Sequence, residues 1–506
     1  MAVDNETLGA AIAICGTGGG GGSPVGAYTF KGSVATVNDL PTLGNEVGDI
    51  YDVRDTGMNY AWTGTAWDAL GQIIDVQALE DEIDGKVDKV TGKGLSTNDF
   101  TNELKTKLEN AQEELTFDDT PVEESDNPVK SGGVYTDTSI TRSMIASKEE
   151  GYDPPKTFGV QWDYSQPSTV LMRIEGAADF ANPSPATSLS GSGSSPFDNI
   201  APWKDMKRYN IIDGEVAYSQ DDAGYSETDY DTVVYIPEFY YFSKKDTTNQ
   251  KWTWSISSEP IEGYEKHPGS GRYVGRFHTS GSGLGVFSKG GVAPLATVTR
   301  AKFRTYSHNK GSNWWQMDLA TWSAIQMLYI VEFANWNSQG TLGAGQNSGN
   351  LKNTGATTGA LYHTVKRNGN SNSYRWIENL FSNLYSWIDG FVASSSKAYA
   401  TTNVSAFVDS TSGMTDTGIT LPSSNYITGL GYSEKCAWAF IPDTASIVGV
   451  STYISDYTES NSSGVRVLCV GGDYYYSDYC GMFYFHACHS ASITSDFIGS
   501  RLIYIP

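Results

Sequence analysis

Residues 472–506, GDYYYSDYCGMFYFHACHSASITSDFIGSRLIYIP, hold two interleaved sets of side chains, and the reading of the whole chain turns on separating them. From Asp473 to Phe497 the stretch is rich in Tyr, Ser, Asp, His and Cys, yet contains no Lys, Glu, Gln or Trp. Tyr offers contact area at low entropy cost, and Ser and Asp add adaptable hydrogen bonds, so this is the composition of a recognition surface. As a strand, residues 482–488 send Phe483, Phe485 and Ala487 to one face and Tyr484, His486 and Cys488 to the other. The first set is expected to anchor the core. The second is expected to face solvent.

The surrounding chain reads as a device for presenting this patch. Its 506 residues suffice for several domains, and the abundance of Gly and Tyr points to a β- and loop-rich protein of secreted or virion type. A formal net charge of −24 argues against nucleic-acid binding, which needs clustered Lys and Arg, and is better explained as keeping a large assembly soluble. The five cysteines (Cys15, Cys436, Cys469, Cys480, Cys488) are too few and too irregular for a disulfide framework. No apolar run is long enough to cross a bilayer, so no membrane insertion is expected. The N-terminus lacks the basic stretch of a signal peptide. Synthesis in a cytosol, and export as part of something larger, follow as expectations.

The chain divides into five segments. Residues 1–27 form an attachment segment that includes the flexible tether GTGGGGGS at 16–23. Residues 28–71 alternate apolar and polar side chains between Gly-containing breaks, as a small antiparallel β module with Trp62 and Trp67 in its core. Over 72–115, Val76, Leu79, Ile83 and Val90 recur at heptad spacing, and Phe100, Leu104, Leu108 and Ala111 share a helical face. A strip this short is marginal alone and makes sense as an oligomeric coiled-coil stalk, best as a homotrimer, with surface helices as the other reading. Residues 116–152 read as a linker or turn module, and 153–506 as a large globular unit. Within it, 318–336 is a helix capped by Asp318, with Trp322, Ile325, Tyr329 and Phe333 on one face, and a second helix is expected within 374–390. The fold class expected is therefore α+β and multidomain.

Several stretches carry a family resemblance. KGSVATVNDLPT and VGDIYDVRDTGMNYAWTGTAWDAL, within 32–70, and LTFDDTPVEESDNPVKSGGVYT, at 115–136, resemble recurrent segments of bacteriophage tail fibres. WQMDLATWSAIQMLYIVEFANWNSQ (315–339), YRWIENLFSNLYSWIDG (374–390) and IGSRLIYIP (498–506) are similar to the formylglycine-generating-enzyme-like branch of the C-type lectin fold. The C-terminal part further resembles variable proteins of diversity-generating retroelements. In it Gly471, Gly472, Gly481, Phe483, Phe485, Ala487, Ala491, Ile498, Gly499, Arg501 and Leu502 match the constant frame of a variable region at 471–502. Between them sit residues reachable when the adenines of Asn or Ser codons are randomised. The resemblance implies a C-type-lectin-fold tip at 153–506 and a tail-fibre adhesin that attaches to tail or baseplate proteins. It is assembled in the host cytoplasm and ends in the virion as the fibre tip. It would bind a bacterial surface receptor, protein or glycan, through Asp473, Tyr474, Tyr475, Tyr476, Ser477, Asp478, Tyr479, Tyr484, His486, Cys488, His489, Ile493, Thr494 and Phe497. A virion-associated glycan depolymerase and a variable adhesin displayed on a bacterial surface are the alternatives.

Sharper chemistry finds less support. Cys480, His486, Cys488 and His489 suggest zinc, but three of them crowd into four residues with no regular partner pair, and no metal is assigned. Related lectin folds leave room for a structural calcium, though no Asp- or Asn-rich loop matches a ligand pattern, so no cofactor is expected. The reactive cysteine pair of formylglycine-generating enzymes finds no motif at Cys436 or Cys469, which read as buried inert thiols. His267, His278, His308 and His363 are scattered, and no hydrolase or phosphate-binding motif appears, so the expectation is not an enzyme. Trp314, Trp315, Trp322, Trp336, Trp376 and Trp387 lie on helices and apolar runs, as core residues rather than a sugar platform.

Overall fold

The structure, a computed structural model, describes residues 28–72 and 156–506. The attachment segment 1–27, the linker 116–152 and the stalk 72–115, apart from Gln72, lie outside the described residues. The chain separates into two units, 1–135 and 136–506. In the first, β1 (Thr29–Val34), β2 (Asp49–Val53), β3 (Met58–Trp62) and β4 (Trp67–Gln72) form one sheet in sequence order. β1 pairs parallel to β2, and only the remaining pairs are antiparallel, so the module is mixed rather than antiparallel. Leu40, Ile50, Val53 and Ala61 form its core. Trp62 and Trp67 are half-buried and pack on each other at 5.4 Å.

Strands dominate the described residues, 36 % against 12 % helix, with three helices. The α+β class with a lectin-type tip expected from sequence gives way, among the described residues, to a mostly β architecture, and the expected coiled-coil stalk falls outside them. The helices are α1 (Arg300–Lys310), α2 (Leu319–Phe333) and α3 (Ser338–Leu342). The Asp318 side chain caps α2 by accepting from Thr321 N–H at 2.7 Å, which satisfies an otherwise orphaned donor. Every residue of α2 is buried, so the helix lies inside the core instead of showing it one apolar face. Its one charge, Glu332, is matched by Arg375 Nη2 at 2.6 Å, Tyr374 Oη at 2.9 Å and Ser195 Oγ at 2.7 Å.

The helix expected within 374–390 does not form. Arg375, Trp376, Asn379, Ser382 and Asn383 all have positive φ, between 43° and 72°, which a right-handed helix forbids. In its place run two short strands and β5 (Tyr385–Ser394). β5 belongs to the nine-stranded sheet that carries the C-terminal region. Its other members are β6 (Lys397–Ala400), β7 (Thr415–Thr420), β8 (Asn425–Leu430), β9 (Pro442–Ala445), β10 (Tyr457–Ser460), β11 (Val465–Val470), β12 (Phe485–His489) and β13 (Ile498–Gly499). The order is β7-β6-β5-β11-β12-β10-β8-β9, with β13 also pairing β5. A six-stranded sheet receives Leu502–Tyr504 between Trp314–Gln316 and Arg272–Gly275, and a five-stranded sheet includes Thr157–Asp163 and Lys251–Ser257.

Alternation along the nine-stranded sheet feeds two separate clusters. Ile388, Phe391, Leu468, Val470, Phe485 and Ala487 join the large core around α2. Tyr385, Trp387, Val467, Cys469 and Tyr484 join a second cluster with Val298, Phe303 and Ile498. The candidate site is built on this second face.

Candidate recognition surface

The turn that follows β11 starts with two glycines in left-handed conformation. A Cβ on Gly471 would lie 2.8 Å from Leu380 O, and one on Gly472 would lie 2.5 Å from Cys480 Sγ, so only glycine fits. Asp473 is buried directly after them. Its Oδ1 accepts from Tyr475 N–H at 2.6 Å and its Oδ2 has no partner, so burial pushes its carboxyl up to about 7. The chain then makes a short 3-10 turn, Ser477–Tyr479.

Neighbouring loops fix this turn from both sides. Ser477 N–H donates to Asn347 O at 3.0 Å while Asn347 Nδ2 donates back to Ser477 O at 2.8 Å. Gln339 Nε2 donates to Cys480 O at 2.6 Å, and Ser338 Oγ accepts from Met482 N–H at 2.9 Å. Farther along, Tyr385 N–H holds Phe497 O at 3.0 Å. A surface braced in this way loses little freedom on binding.

The predicted site residues occupy three depths. Tyr475, Ser477, Asp478, Ile493 and Thr494 are exposed, and Tyr475 is 73 % exposed. Tyr474, Tyr476, Tyr479, Cys488, His489 and Phe497 are half-buried. Asp473, Tyr484 and His486 are buried. The expectation that Tyr484 and His486 face solvent is therefore corrected. Both point away from Phe483, Phe485 and Ala487, as alternation requires. However, β12 lies in mid-sheet between β11 and β10, and its outward face is roofed by a second layer of rings.

That layer is continuous. Tyr385 Oη donates to Tyr484 Oη at 2.7 Å, their rings 5.3 Å apart, and both hydroxyls are raised well above the ordinary range by burial. Tyr476 packs on Tyr385 at 5.7 Å, and Tyr479 on Tyr457 at 4.5 Å and Tyr426 at 5.5 Å. Phe497 supports Tyr474 at 5.2 Å and Tyr475 at 6.1 Å. The outcome is a rigid aromatic floor with a rim of exposed Tyr, Ser, Asp, Ile and Thr.

Sequence reasoning missed the residues that make the floor and the clamp: Tyr385, Tyr426, Tyr457, Gln339 and Asn347. They come from distant segments, and only the overall excess of Tyr hinted at them. It also missed exposed Ile447 and Val448, which follow the bond from Ser446 N–H to Tyr426 O at 2.8 Å and so leave from the floor's edge.

Two other clusters carry groups suited to chemistry. His363 Nε2 lies 2.7 Å from Asp198 Oδ1 and its Nδ1 2.7 Å from Thr364 Oγ1, the arrangement of a proton relay. Thr364 is buried and Oγ1 is also engaged by Arg375 N–H at 3.2 Å, while Arg375 Nη2 reaches Asp198 at 3.1 Å. These contacts cross-link loops around Glu332 and leave no substrate-sized space beside the hydroxyl. The second cluster gathers Glu459, Cys469, His486, Cys488 and His489, donors suited to a transition metal. Burial raises the Cys469 thiol well above its ordinary range and pushes the Cys488 thiol up to about 12. No protein-family model matches the chain, and no curated protein matches it.

Proposed function

We propose that this protein is a tail-fibre adhesin of a phage, binding a bacterial surface receptor through the aromatic surface near its C-terminus. The observation that carries the reading is Tyr475, largely exposed at the top of a turn that glycines, Gln339 and Asn347 hold rigid. An exposed ring on a fixed support buries area on contact without an ordering cost. Ser477 and Asp478, exposed two and three residues farther along the same turn, add directional hydrogen-bonding groups.

Support from sequence comes from the tail-fibre-like segments at 32–70 and 115–136 and from the adenine-reachable residues at 473–497. Retroelement diversification would act most freely at the exposed positions, Tyr475, Ser477, Asp478, Ile493 and Thr494. Asp473, Tyr484 and His486 belong to the floor, where a change of volume disturbs packing. Display in several copies, as a homotrimer, would multiply weak single contacts into firm attachment.

The test is staining of intact bacteria with fluorescently labelled full-length protein across a strain panel. A subset of strains should stain, and excess unlabelled protein should compete the signal away. Periodate or protease treatment of the cells then separates a glycan from a protein receptor. Uniform or uncompeted staining would count against the reading.

A further inference from the structure

Three adjacent strands place metal donors in one lateral row. Cys469 on β11 pairs with His486 on β12, and His486 pairs with Glu459 on β10. Directly paired residues point to the same face of a sheet, so thiol, imidazole and carboxylate become neighbours through backbone register alone. Cys488, two residues along β12, shares that face.

A bulge brings the fifth donor. Val467 pairs with His489 while Cys469 pairs with His486, two residues advanced on β11 against three on β12. The extra residue turns His489 back toward His486, their ring centroids 4.3 Å apart. Without it the odd spacing would send the two imidazoles to opposite faces.

One donor atom each from Cys469, His486 and His489 lie within 4.8 Å of one another, as do those of Glu459, His486 and Cys488. Ligands around a tetrahedral zinc ion stand about 3.3–3.8 Å apart, given bonds of about 2.0–2.3 Å, so small side-chain rotations suffice. His486 Nε2 is 3.3 Å from Glu459 Oε2 and 3.4 Å from Cys488 Sγ. Its Nδ1 is buried without any partner. An unsatisfied buried nitrogen is costly, and a cation in the cluster supplies the missing partner. Half-exposed Cys488, His489 and Glu459 give the ion a path from solvent.

We propose that Cys469, His486 and His489 bind a Zn2+-type divalent transition metal, with Cys488 and Glu459 bordering its fourth position. The ion would tie β10, β11 and β12 together beneath the aromatic floor. Metal binding by these five side chains is independent of receptor binding.

The experiment uses full-length protein, reduced and stripped with chelator, titrated with Zn2+ against a chromophoric competing chelator and separately with Co2+. The expected result is one equivalent of tight uptake and the intense visible absorption of four-coordinate, thiolate-bound cobalt. His489→Asn and Cys469→Ser should each weaken binding at least tenfold, and Cys436→Ser should not change it. Because Cys469 is fully buried, His489→Asn and Cys488→Ser, at half-exposed positions, keep the test decisive if Cys469→Ser fails to fold. No saturable uptake at micromolar Zn2+ overturns the proposal. So does uptake that persists unchanged in both folded His489→Asn and Cys488→Ser variants.

Discussion

Asp473 lies beneath the tyrosine turn with one oxygen unpartnered, its carboxyl raised to about 7 by burial. An unfolded Asp loses its proton near pH 4. Between roughly pH 4 and 7 the folded chain therefore keeps a proton that the unfolded chain has released. The contribution of this residue to stability thus falls as pH rises through that window and is level above it. A shift of about three units corresponds to at most about 4 kcal/mol. Asp473→Asn keeps an acceptor for Tyr475 N–H and removes the ionisation. Urea unfolding of both proteins at pH 5 and pH 8 should find the variant gaining stability relative to the parent at the higher pH. Equal pH slopes in the two proteins would contradict the assignment.

At the scale of elements, α2 shows what buried charge demands. Glu332 is the one acidic residue on a fully buried helix, held by Arg375, Tyr374 and Ser195. Glu332→Ala strands the Arg375 guanidinium in the core and is expected to cost about 3–5 kcal/mol, measured as a loss in denaturant midpoint at constant slope. A loss below about 1 kcal/mol would mean that Arg375 finds compensation from Asp198. The sequence made α2 legible because capping, length and apolar content agree there. The helix expected at 374–390 had the same apolar content, but five residues with positive φ break it; Asn379 and Asn383 are of a type that tolerates that conformation, while Arg375, Trp376 and Ser382 give no sign of it. The bulge in β12 was equally hidden. Periodicity placed Tyr484 and His486 opposite Phe483 and Phe485, which is their arrangement. It could not tell that a roof of rings from β5, β8 and β10 covers the second face, since those contacts join residues 27 to 99 positions apart.

At the scale of the whole molecule, the alternating patterns in the sequence pointed to strands where strands occur, while the balance of classes did not follow. Helix-like stretches were overweighted because apolar content at three- and four-residue steps also arises in buried strands and loops. What survives from sequence to structure is a divided C-terminal region: a packed layer on the α2 core and an aromatic layer that thins toward solvent. The central claim is that the exposed rim, and not the floor, makes contact with a receptor. Removal of exposed side chains should then affect binding while leaving stability within about 0.5 kcal/mol. Central aromatic contacts in an interface carry about 2 kcal/mol or more each, near thirtyfold in affinity. The direct measurement is the affinity of labelled Tyr475→Ala/Ser477→Ala/Ile493→Ala protein for a bacterial strain that the parent stains, alongside its melting temperature. The account predicts at least a thirtyfold loss of binding with an unchanged melting temperature. Undiminished binding, or a loss that merely follows a lowered melting temperature, would contradict it.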